Sequence, residues 1–253
     1  MRVAVIGAGI IGLATAYQLS RRGVEVAIIT DRDPGAGAST NNAGWVVPAE
    51  SAPIPAPGAV VQGLRWMLRP DSPVYVRPSL RPSTLRFLLG LARASHARAH
   101  AAGFEATVRL AAGTMDELDA WVADGLGFEM HGAGELRAYV DRAELDRATR
   151  ELDRLARAGF EPEALTGDAA REREPALSEA VVGAIRFPNE RHLDPASLVR
   201  ALVERLRRDG VDWTEGRVTS ARARTGAGLG SGVELGGAFG SVRADAVVLA
   251  SGA

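Results

Sequence analysis

The sequence predicts an α/β protein in which a parallel sheet is interrupted by an inserted α+β domain. Three observations predict this fold class. Residues 3–6 are an apolar, strand-like run that passes directly into a glycine-rich turn and then into a helical run at 13–19. Residues 59–189 alternate helical patterns with short strand-like runs. Residues 245–250 are a last apolar run, which is typical of a strand buried on both faces of a parallel sheet.

The glycine-rich turn reads Gly7-Ala8-Gly9-Ile10-Ile11-Gly12, the spacing of a Rossmann-like, dinucleotide-binding motif. The first glycine turns the chain out of the strand, the second lets a pyrophosphate approach the backbone, and the third lets the helix pack closely on the strand. Free N–H groups and the positive end of the helix dipole then face the phosphates. The alternatives are a turn without a ligand and a secretory signal. Helix-hostile glycines and the lack of a cleavage site disfavour the signal, so we expect a cytoplasmic protein.

The second strand, residues 24–29, ends where an acidic residue is expected to bind the adenosine ribose of the cofactor. Asp31 is the candidate, although the spacing fits Thr30 as well or better, and a threonine hydroxyl can also bind a ribose. Arg32 either faces the 2′-phosphate of NADP or is a surface arginine. The ribose contact therefore stays open among three neighbouring residues.

A long segment, residues 33–57, is rich in Pro, Gly, Ala, Ser and Asn. Segments of this kind inside a compact domain are usually functional or disordered. Ser39 and the run Asn42-Ala43-Gly44 are small and polar enough to place side-chain donors and backbone amides against a ligand. A plain surface loop is the alternative.

The composition excludes several kinds of chemistry. The chain has no cysteine, and all 30 basic residues are arginine. Disulfides, thiolate nucleophiles, cysteine-bound metals, a lysine Schiff base and a Walker A loop are therefore excluded, and redox chemistry must come from an organic cofactor. A net charge of −1 does not favour nucleic acid as a partner. His96 and His100 are spaced i, i+4 without the glutamate of a zinc-protease helix, so no metal site is predicted.

Residues 59–104 are basic, with seven arginines and one acid, Asp71. The arginines flank apolar and aromatic residues, as they do in helices that lie on a membrane surface. Peripheral membrane contact through residues 60–100 is one interpretation, and a solvated helix face is the other. No apolar run reaches 18 residues, so no spanning helix is predicted.

The central block predicts an amphipathic helix at 106–123, a hairpin at 129–140 and a helix at 141–158 that Asp141 caps and Gly159 ends. The residues available for the buried side of the first helix are Val108, Leu110, Ala111, Met115, Leu118 and Val122.

The C-terminal part predicts a helix that begins at Asp194 and Pro195 and ends at Gly210. A strand at 217–220 and a hairpin at 226–242 follow. The apolar stripe of the helix is Leu198, Leu202 and Leu206. Because no helix follows the last strand, we expect the C-terminal part of the protein to be missing.

Six segments carry a resemblance that runs in order along essentially the whole chain: MRVAVIGAGIIGLATAYQL, AGASTNNAG, GLRWMLRPDSPVYVR, REPAL, FPNERHLDPASLVRAL and ADAVVLASGA. They resemble the D-amino-acid dehydrogenase group of the FAD-dependent D-amino-acid oxidase and glycine oxidase family, whose members continue past the position of Ala253. The resemblance implies a discontinuous FAD-binding domain, residues 1–58 and 190–253, and a partial substrate or cap domain, residues 59–189.

The resemblance also implies where FAD binds. We expect the FAD to be non-covalent, because there is no cysteine and none of the four histidines is predicted near the flavin. The implied contacts are residues 7–12 for the pyrophosphate, Thr30, Asp31 and Arg32 for the ribose, Ser39, Asn42, Ala43 and Gly44 for the flavin end, Val218 for the adenine, and Ser251 and Gly252 for the last approach.

The implied reaction is oxidative deamination of a D-amino acid. The α-hydrogen passes as hydride to flavin N5, and water hydrolyses the imino acid to a keto acid and ammonia. The implied partners are the amino acid and a quinone or electron carrier, and contact with the inner face of the cell membrane would follow. No catalytic residue is identified. The alternatives are a sarcosine, glycine or 2-hydroxyacid oxidase on the same scaffold, and an inactive FAD-binding fragment.

Overall fold

A computed structural model describes residues 1–67, 79, 81–224 and 232–252. The parts of the basic window at 68–78 and 80, and of the predicted hairpin at 226–231, lie outside the described residues. The chain divides into two compact units. The first unit comprises Met1–Val46, Glu117–His131 and His192–Ala253, and the second unit comprises Val47–Asp116 and Gly132–Arg191.

The helices of the described residues are α1 Ile10–Arg21, α2 Ala59–Met67, α3 Pro82–Ala94, α4 Ala97–Ala111, α5 Thr114–Ala123, α6 Arg142–Thr149, α7 Leu152–Arg157, α8 Gly167–Arg173 and α9 Pro195–Arg208, with a 3-10 turn at Pro48–Glu50. The strands are β1 Arg2–Ile6, β2 Glu25–Thr30, β3 Trp45–Val46, β4 Met130–His131, β5 Glu135–Tyr139, β6 Glu163–Thr166, β7 Gly183–Phe187, β8 Arg191–Leu193, β9 Asp212–Glu215, β10 Val218–Arg224, β11 Gly232–Gly237, β12 Gly240–Ala244 and β13 Ala246–Leu249.

The first unit is built on a parallel sheet with the strand order β13-β1-β2-β9. The central strand β1 is buried at Val3, Ala4 and Val5, as expected for a strand covered on both faces. On one side α1 packs with α9 and buries Leu13 and Tyr17 completely.

An antiparallel sheet, β10-β11-β12, covers part of the parallel sheet of the first unit. Leu235 of β11 and Ala244 pack with Ala4 of β1 and Ile29 of β2 in one buried cluster. A third, small sheet has the order β3-β8-β4. These layers leave the carboxyl ends of β1 and β2 beside the start of α1, where ligands bind in sheets of this type.

The second unit has its own antiparallel sheet, β5-β7-β6. Its core contains Ala49, Leu145, Ile185 and Phe187. The helix α6 covers this core and begins at Asp141, whose Oδ1 accepts hydrogen bonds from the N–H groups two and three residues later.

The strongest local patterns are confirmed. The β1-α1-β2 unit lies where the glycine motif predicted it, and β13 pairs in parallel with β1. Asp194 caps α9, Pro195 is its first residue, and the predicted stripe of Leu198, Leu202 and Leu206 is buried.

The helix predicted at 106–123 is wrong as a single element. The structure has α4 and α5, separated at Gly113, whose φ of +77° belongs to the left-handed region that ends helices. Because the chain restarts there, the buried face does not continue along the predicted stripe. Leu118 is buried, whereas Leu110 is 87% exposed and Val122 is 47% exposed.

The hairpin predicted at 129–140 is also wrong in its pairing. Both strands exist, but β4 pairs with β8 in the first unit and β5 pairs with β7 in the second unit. The sequence pattern identifies an extended segment, whereas its partner depends on distant residues. The helix predicted at 141–158 is likewise divided, into α6 and α7, and Gly159 ends it with a φ of +92° as expected.

The compact units differ from the predicted domain limits at three places. Residues 47–58 and 190–191 belong to the second unit, and Glu117–His131 belongs to the first. The roles of the units as FAD-binding and substrate domains stay proposals.

Candidate functional site

The glycine-rich turn joins β1 to α1 with the backbone geometry that its sequence predicted. Gly7 has a φ of +104°, which a residue with a side chain rarely adopts. Its N–H donates to Ile29 O at 2.8 Å, which ties the turn to the end of β2. The first hydrogen bond of the helix ladder runs from Leu13 N–H to Gly9 O. The N–H groups that precede Leu13 lie at the positive end of the helix dipole and take no part in the helix hydrogen bonds.

The three glycines of the motif are needed for different reasons. A Cβ on Gly7 would lie 2.3 Å from Ala250 O, and one on Gly12 would lie 2.0 Å from Gly7 O. Close packing of the protein itself therefore requires both glycines. A Cβ on Gly9 would meet only Ser39 Oγ, at 3.1 Å, and Gly9 has an ordinary extended conformation. The fold alone does not explain a glycine at position 9, whereas close approach of a ligand does.

The loop after β2 folds back onto the glycine motif. Gly35 N–H donates to Ala8 O at 2.9 Å, and Ser39 Oγ accepts the N–H of Ile10 at 2.9 Å. The Ser39 hydroxyl thus lies at the first turn of α1, beside Gly9. This hydroxyl accepts a hydrogen bond from one N–H group at the helix start and places a polar oxygen atom beside it.

Asn42 shapes the loop with its side chain. Its Nδ2 donates to Ala38 O at 2.9 Å, and its Oδ1 accepts Gly44 N–H at 2.8 Å. Gly44 has a φ of +70°, and its carbonyl accepts the N–H of Leu193 at 2.9 Å, which anchors the loop to β8. The Asn42 amide is therefore used within the loop, while Asn42 and Ala43 are exposed.

The end of β2 distinguishes the two candidates for the ribose contact. The Thr30 hydroxyl donates to Arg32 O at 2.8 Å, so its proton is already used. Asp31 is exposed, and its Oδ2 lies 3.8 Å from Nε of Arg217. Gly216 N–H donates to Thr30 O at 2.8 Å, so the segment before β10 lies beside this strand end. Of the two, the Asp31 carboxylate retains the greater capacity to accept hydrogen bonds.

The structure brings most of the predicted residues to one place in the first unit. The motif, the Ser39 loop and the segment after β13 meet at Gly7, where Ser251 Cα would lie 3.1 Å from an added Cβ. Gly252 follows with a φ of +78°. Val218 packs against the core that contains Ala4 and Ile29, next to the strand end that carries Asp31. Arg32 is exposed.

Sequence reasoning missed four residues of this site. They are Gly35, Ala250, Leu193 and Arg217, each described above. The Gly-Ala-Gly spacing after Pro34 was a local sign for Gly35, but the other three depend on pairings across more than 140 residues. The hydrogen bond from Leu193 to Gly44 also places His192 next to the residue that anchors the loop. His192 stacks on His131, with ring centroids 4.9 Å apart.

The residues fit a flavin dinucleotide. A glycine without a packing reason stands at the start of α1, free N–H groups face the same point, and an exposed carboxylate follows β2. None of the described residues near this point forms a group of three His, Cys, Asp or Glu side chains arranged to hold a metal ion.

Comparison with known protein families identifies one family that matches almost the whole of this chain. The family described as "DAO: FAD dependent oxidoreductase" matches residues 2–253. The D-amino acid dehydrogenase of Cereibacter sphaeroides is 34% identical over all of this chain and 58% of its own length. D-amino acid dehydrogenase 2 of Pseudomonas aeruginosa is 36% identical over 99% of this chain and 60% of its own. The chain spans about three fifths of the length of these relatives.

Solved structures show the same fold. The glycine oxidase of Geobacillus kaustophilus superposes with a TM-score of 0.65 at 24% identity, over all of this chain and 56% of its own. The glycine oxidase of Bacillus cereus superposes with a TM-score of 0.60 at 26% identity, over 99% of this chain and 55% of its own.

Proposed function

Because the chain belongs to the DAO family of FAD-dependent oxidoreductases, we propose that its first unit binds FAD in a protein that oxidises D-amino acids. The family description confirms the prediction of FAD as the cofactor. Relatives that are 34% and 36% identical carry the name D-amino acid dehydrogenase, which supports this substrate class over the alternatives.

The observation that carries the proposal is Gly9. Gly7 and Gly12 are explained by the contacts their side chains would make with backbone atoms, but Gly9 faces only the Ser39 hydroxyl. A bare backbone at this position allows a pyrophosphate to approach the N–H groups at the start of α1. In the proposed complex Ala8, Ile10 and Ile11 line the contact with backbone atoms rather than side chains, and the Ile10 N–H stays bonded to Ser39 Oγ.

The residues of this chain hold and orient the cofactor. When bound, FAD would supply the chemistry, taking the α-hydrogen of the amino acid as hydride and leaving an imino acid for hydrolysis. Ser39 holds the loop against the start of α1, and Asp31 accepts hydrogen bonds from the ribose. The anchored turn from Asn42 to Gly44 lies next to the cofactor and excludes water on that side. The electron acceptor we propose is a quinone or carrier.

Three alternatives remain. A glycine or sarcosine oxidase is supported by the resemblance to the Bacillus cereus glycine oxidase, and a 2-hydroxyacid oxidase uses the same scaffold. The third possibility, of another class, is an FAD-binding fragment without turnover.

Flavin content tests the binding part of the proposal. Gly9→Val places a branched side chain where the pyrophosphate would lie, so the purified variant should lose its bound flavin. Gly37→Val is the matched control, because nothing lies within 4 Å of a Cβ at Gly37 in the same loop region. Circular dichroism checks that both variants fold. Equal flavin content in the wild type, Gly9→Val and Gly37→Val would contradict the proposed site.

Anaerobic bleaching of the oxidised flavin tests the activity part. D-alanine or D-proline should bleach the bound flavin, whereas L-alanine should not. Bleaching by sarcosine or by a 2-hydroxyacid, but not by D-amino acids, would favour the rival oxidases. Stable binding of FAD without bleaching by any of these compounds would identify an inactive FAD-binding fragment.

A surface of the second unit supports a membrane partner. None of the helices in the described ranges is long and apolar enough to cross a membrane. The helices α2 and α3 have no buried residues and expose large apolar side chains, among them Leu64, Phe87 and Leu89. Arg65, Arg86 and Arg93 lie on the same helices. We propose that α2 and α3 contact an anionic membrane surface peripherally.

A further inference from the structure

Three carboxylates and one guanidinium form a cluster at the edge of the core of the second unit. Glu50 ends the 3-10 turn, Glu135 and Arg137 lie on β5, and Glu190 follows β7. Arg137 forms an ion pair with Glu50 and another, at 3.5 Å, with Glu135. Its guanidinium carbon also lies 5.4 Å from the ring centroid of Phe187. One cation therefore faces three acids in what we call the carboxylate cluster.

Glu190 is the buried member of the cluster. It is 4% exposed, and its Oε1 accepts the N–H of Ala49 at 3.1 Å. Among the described residues its Oε2 has no hydrogen-bond partner, and the buried Oε2 of Glu135 has none either. A buried carboxylate oxygen without a donor is costly, because it loses its hydration without replacement. Arg137 alone cannot compensate two such oxygens, since it already pairs with Glu50.

The sheet holds these groups in place. Glu135 and Arg137 alternate with Leu136 along β5, so both point to the face where Phe187 and Ile185 are their partners on β7. That face covers the core that contains Ile185 and Phe187. A strand paired in register cannot turn its side chains to water without breaking the ladder. The charge of Glu135, whose side chain is only 16% exposed, is therefore compensated mainly by its neighbours.

We propose that the carboxylate cluster is a proton-binding site in which Glu135 and Glu50 hold one proton between their carboxyl groups at neutral pH. The proton comes from solvent and forms an O–H bond on Glu135, which donates to the Glu50 carboxylate. The net charge of the cluster falls by one unit of negative charge. The charged groups that face Glu135 are Glu50 from the 3-10 turn, Arg137 from its own strand and Glu190 from the segment after β7.

The electrostatics of the cluster agree with this assignment. Burial raises the pKa of Glu135 to about 7. The hydrogen bond to Glu50 and the negative charges of Glu50 and Glu190 also raise this pKa, whereas the positive charge of Arg137 lowers it. Burial also raises the pKa of Glu190. Because these shifts are upward, the folded protein keeps a proton that the unfolded chain releases between pH 4.5 and about 7. The contribution of the Glu135 proton to stability is therefore fully present below pH 4.5 and is lost as the pH rises toward about 7.

A metal ion is the other occupant that such a cluster suggests. In the part of the chain that the structure describes, no three His, Cys, Asp or Glu side chains are arranged to hold one. The geometry therefore favours the proton, and added metal serves as an arm of the test.

Carbon-13 NMR of the whole 253-residue chain, labelled at glutamate Cδ, measures the protonation directly. The wild type should show one glutamate resonance that titrates near neutral pH. This resonance should be absent in Glu135→Gln, and its midpoint should fall in Glu50→Gln, which removes the negative charge that favours the proton on Glu135. Glu172→Gln, an exposed position on α8, is the control and should leave it unchanged. The wild-type titration decides the question even if a variant does not fold: all glutamates titrating below about pH 5.5 would overturn the proposal.

Urea unfolding gives an independent readout. Between pH 4.5 and about 7 the unfolding equilibrium constant of the wild type should rise with pH by up to tenfold per pH unit, beyond the change seen in Glu135→Gln. Parallel pH dependences of the wild type and Glu135→Gln would contradict a proton on Glu135. Loss of the neutral titration on addition of MgCl₂ or CaCl₂ at millimolar concentration would instead identify a metal site, and this outcome would also overturn the proposal.

Discussion

The phenol of Tyr17, on α1, donates a hydrogen bond to the carboxylate of Asp124 in the first unit. Tyr17 is fully buried, and Asp124 also pairs with Arg21 and Arg205, each at 3.2 Å. The contact joins α1, which carries the glycine motif, to α9 and to the segment after α5. Burial, reinforced by Asp124, raises the pKa of Tyr17 to about 12, and the hydrogen bond from Tyr17 lowers the pKa of Asp124.

Tyr17→Phe should lower the free energy of unfolding by about 1 kcal/mol, because one buried hydrogen bond is lost while the ring contact with Trp121 is kept. In the wild type, stability should also fall as the pH rises from 10 to 12, since the folded protein retains the phenol proton there. Urea unfolding at several pH values measures both effects. Tyr139→Phe, in the second unit, is the control. If the stability of Tyr17→Phe fell between pH 10 and 12 as much as that of the wild type, the raised pKa would not belong to Tyr17.

Gly12→Ala should destabilise the protein without its cofactor by about 3 kcal/mol or more, because the Cβ would lie 2.0 Å from Gly7 O. Gly9→Ala should cost less than about 1 kcal/mol, since its backbone is in an ordinary conformation and the nearest atom is the end of a side chain. Urea unfolding of the flavin-free protein compares the two. Equal losses would show that Gly9 is also needed for packing.

Asp31→Asn should weaken the affinity for FAD about tenfold, because a charged acceptor for the ribose is lost. Thr30→Ala should weaken it less, since the Thr30 hydroxyl is bonded to Arg32 O. Fluorescence quenching of titrated FAD gives the dissociation constants, and Asp33→Asn, on the same exposed turn, is the control. If Thr30→Ala weakened the affinity for FAD more than Asp31→Asn, Thr30 rather than Asp31 would be the ribose contact.

The flavin should be released completely when the protein is precipitated with acid, because the chain has no cysteine to form a thioether. The position of His192 beside the loop makes this residue the informative variant. Acid supernatants of the wild type and His192→Ala should carry the same flavin per mole of protein. A yellow pellet from the wild type that becomes colourless in His192→Ala would show a covalent histidyl link.

Exchange of Phe87 and Leu89 for serine should reduce binding to vesicles of phosphatidylcholine with phosphatidylglycerol at least about tenfold, since two exposed apolar side chains are lost. Higher salt should weaken the binding of the wild type, because exposed arginines are screened. Co-sedimentation measures both. Leu110→Ser, at a more exposed leucine outside residues 60–100, is the control. If the wild type did not sediment with the vesicles, the proposed membrane contact would be wrong.

Local patterns predicted the elements that position the site. Apolar runs, a glycine motif and a capping aspartate act within a few residues, so β1, α1, β2 and α9 were predictable. The predicted 106–123 helix failed at Gly113, because amphipathic periodicity continues across a glycine that the backbone uses to end a helix.

The sequence by itself determined the glycine motif, the strand-turn-helix-strand unit around it and the absence of cysteine and lysine, because these depend on residue type and near neighbours. Only the tertiary structure decided which distant groups meet: Ala250 at Gly7, Leu193 at Gly44, Arg217 at Asp31 and Glu190 at the carboxylate cluster. The physical reason is that strand pairing and burial are set by packing across the chain, and no short-range pattern encodes a partner more than 100 residues away.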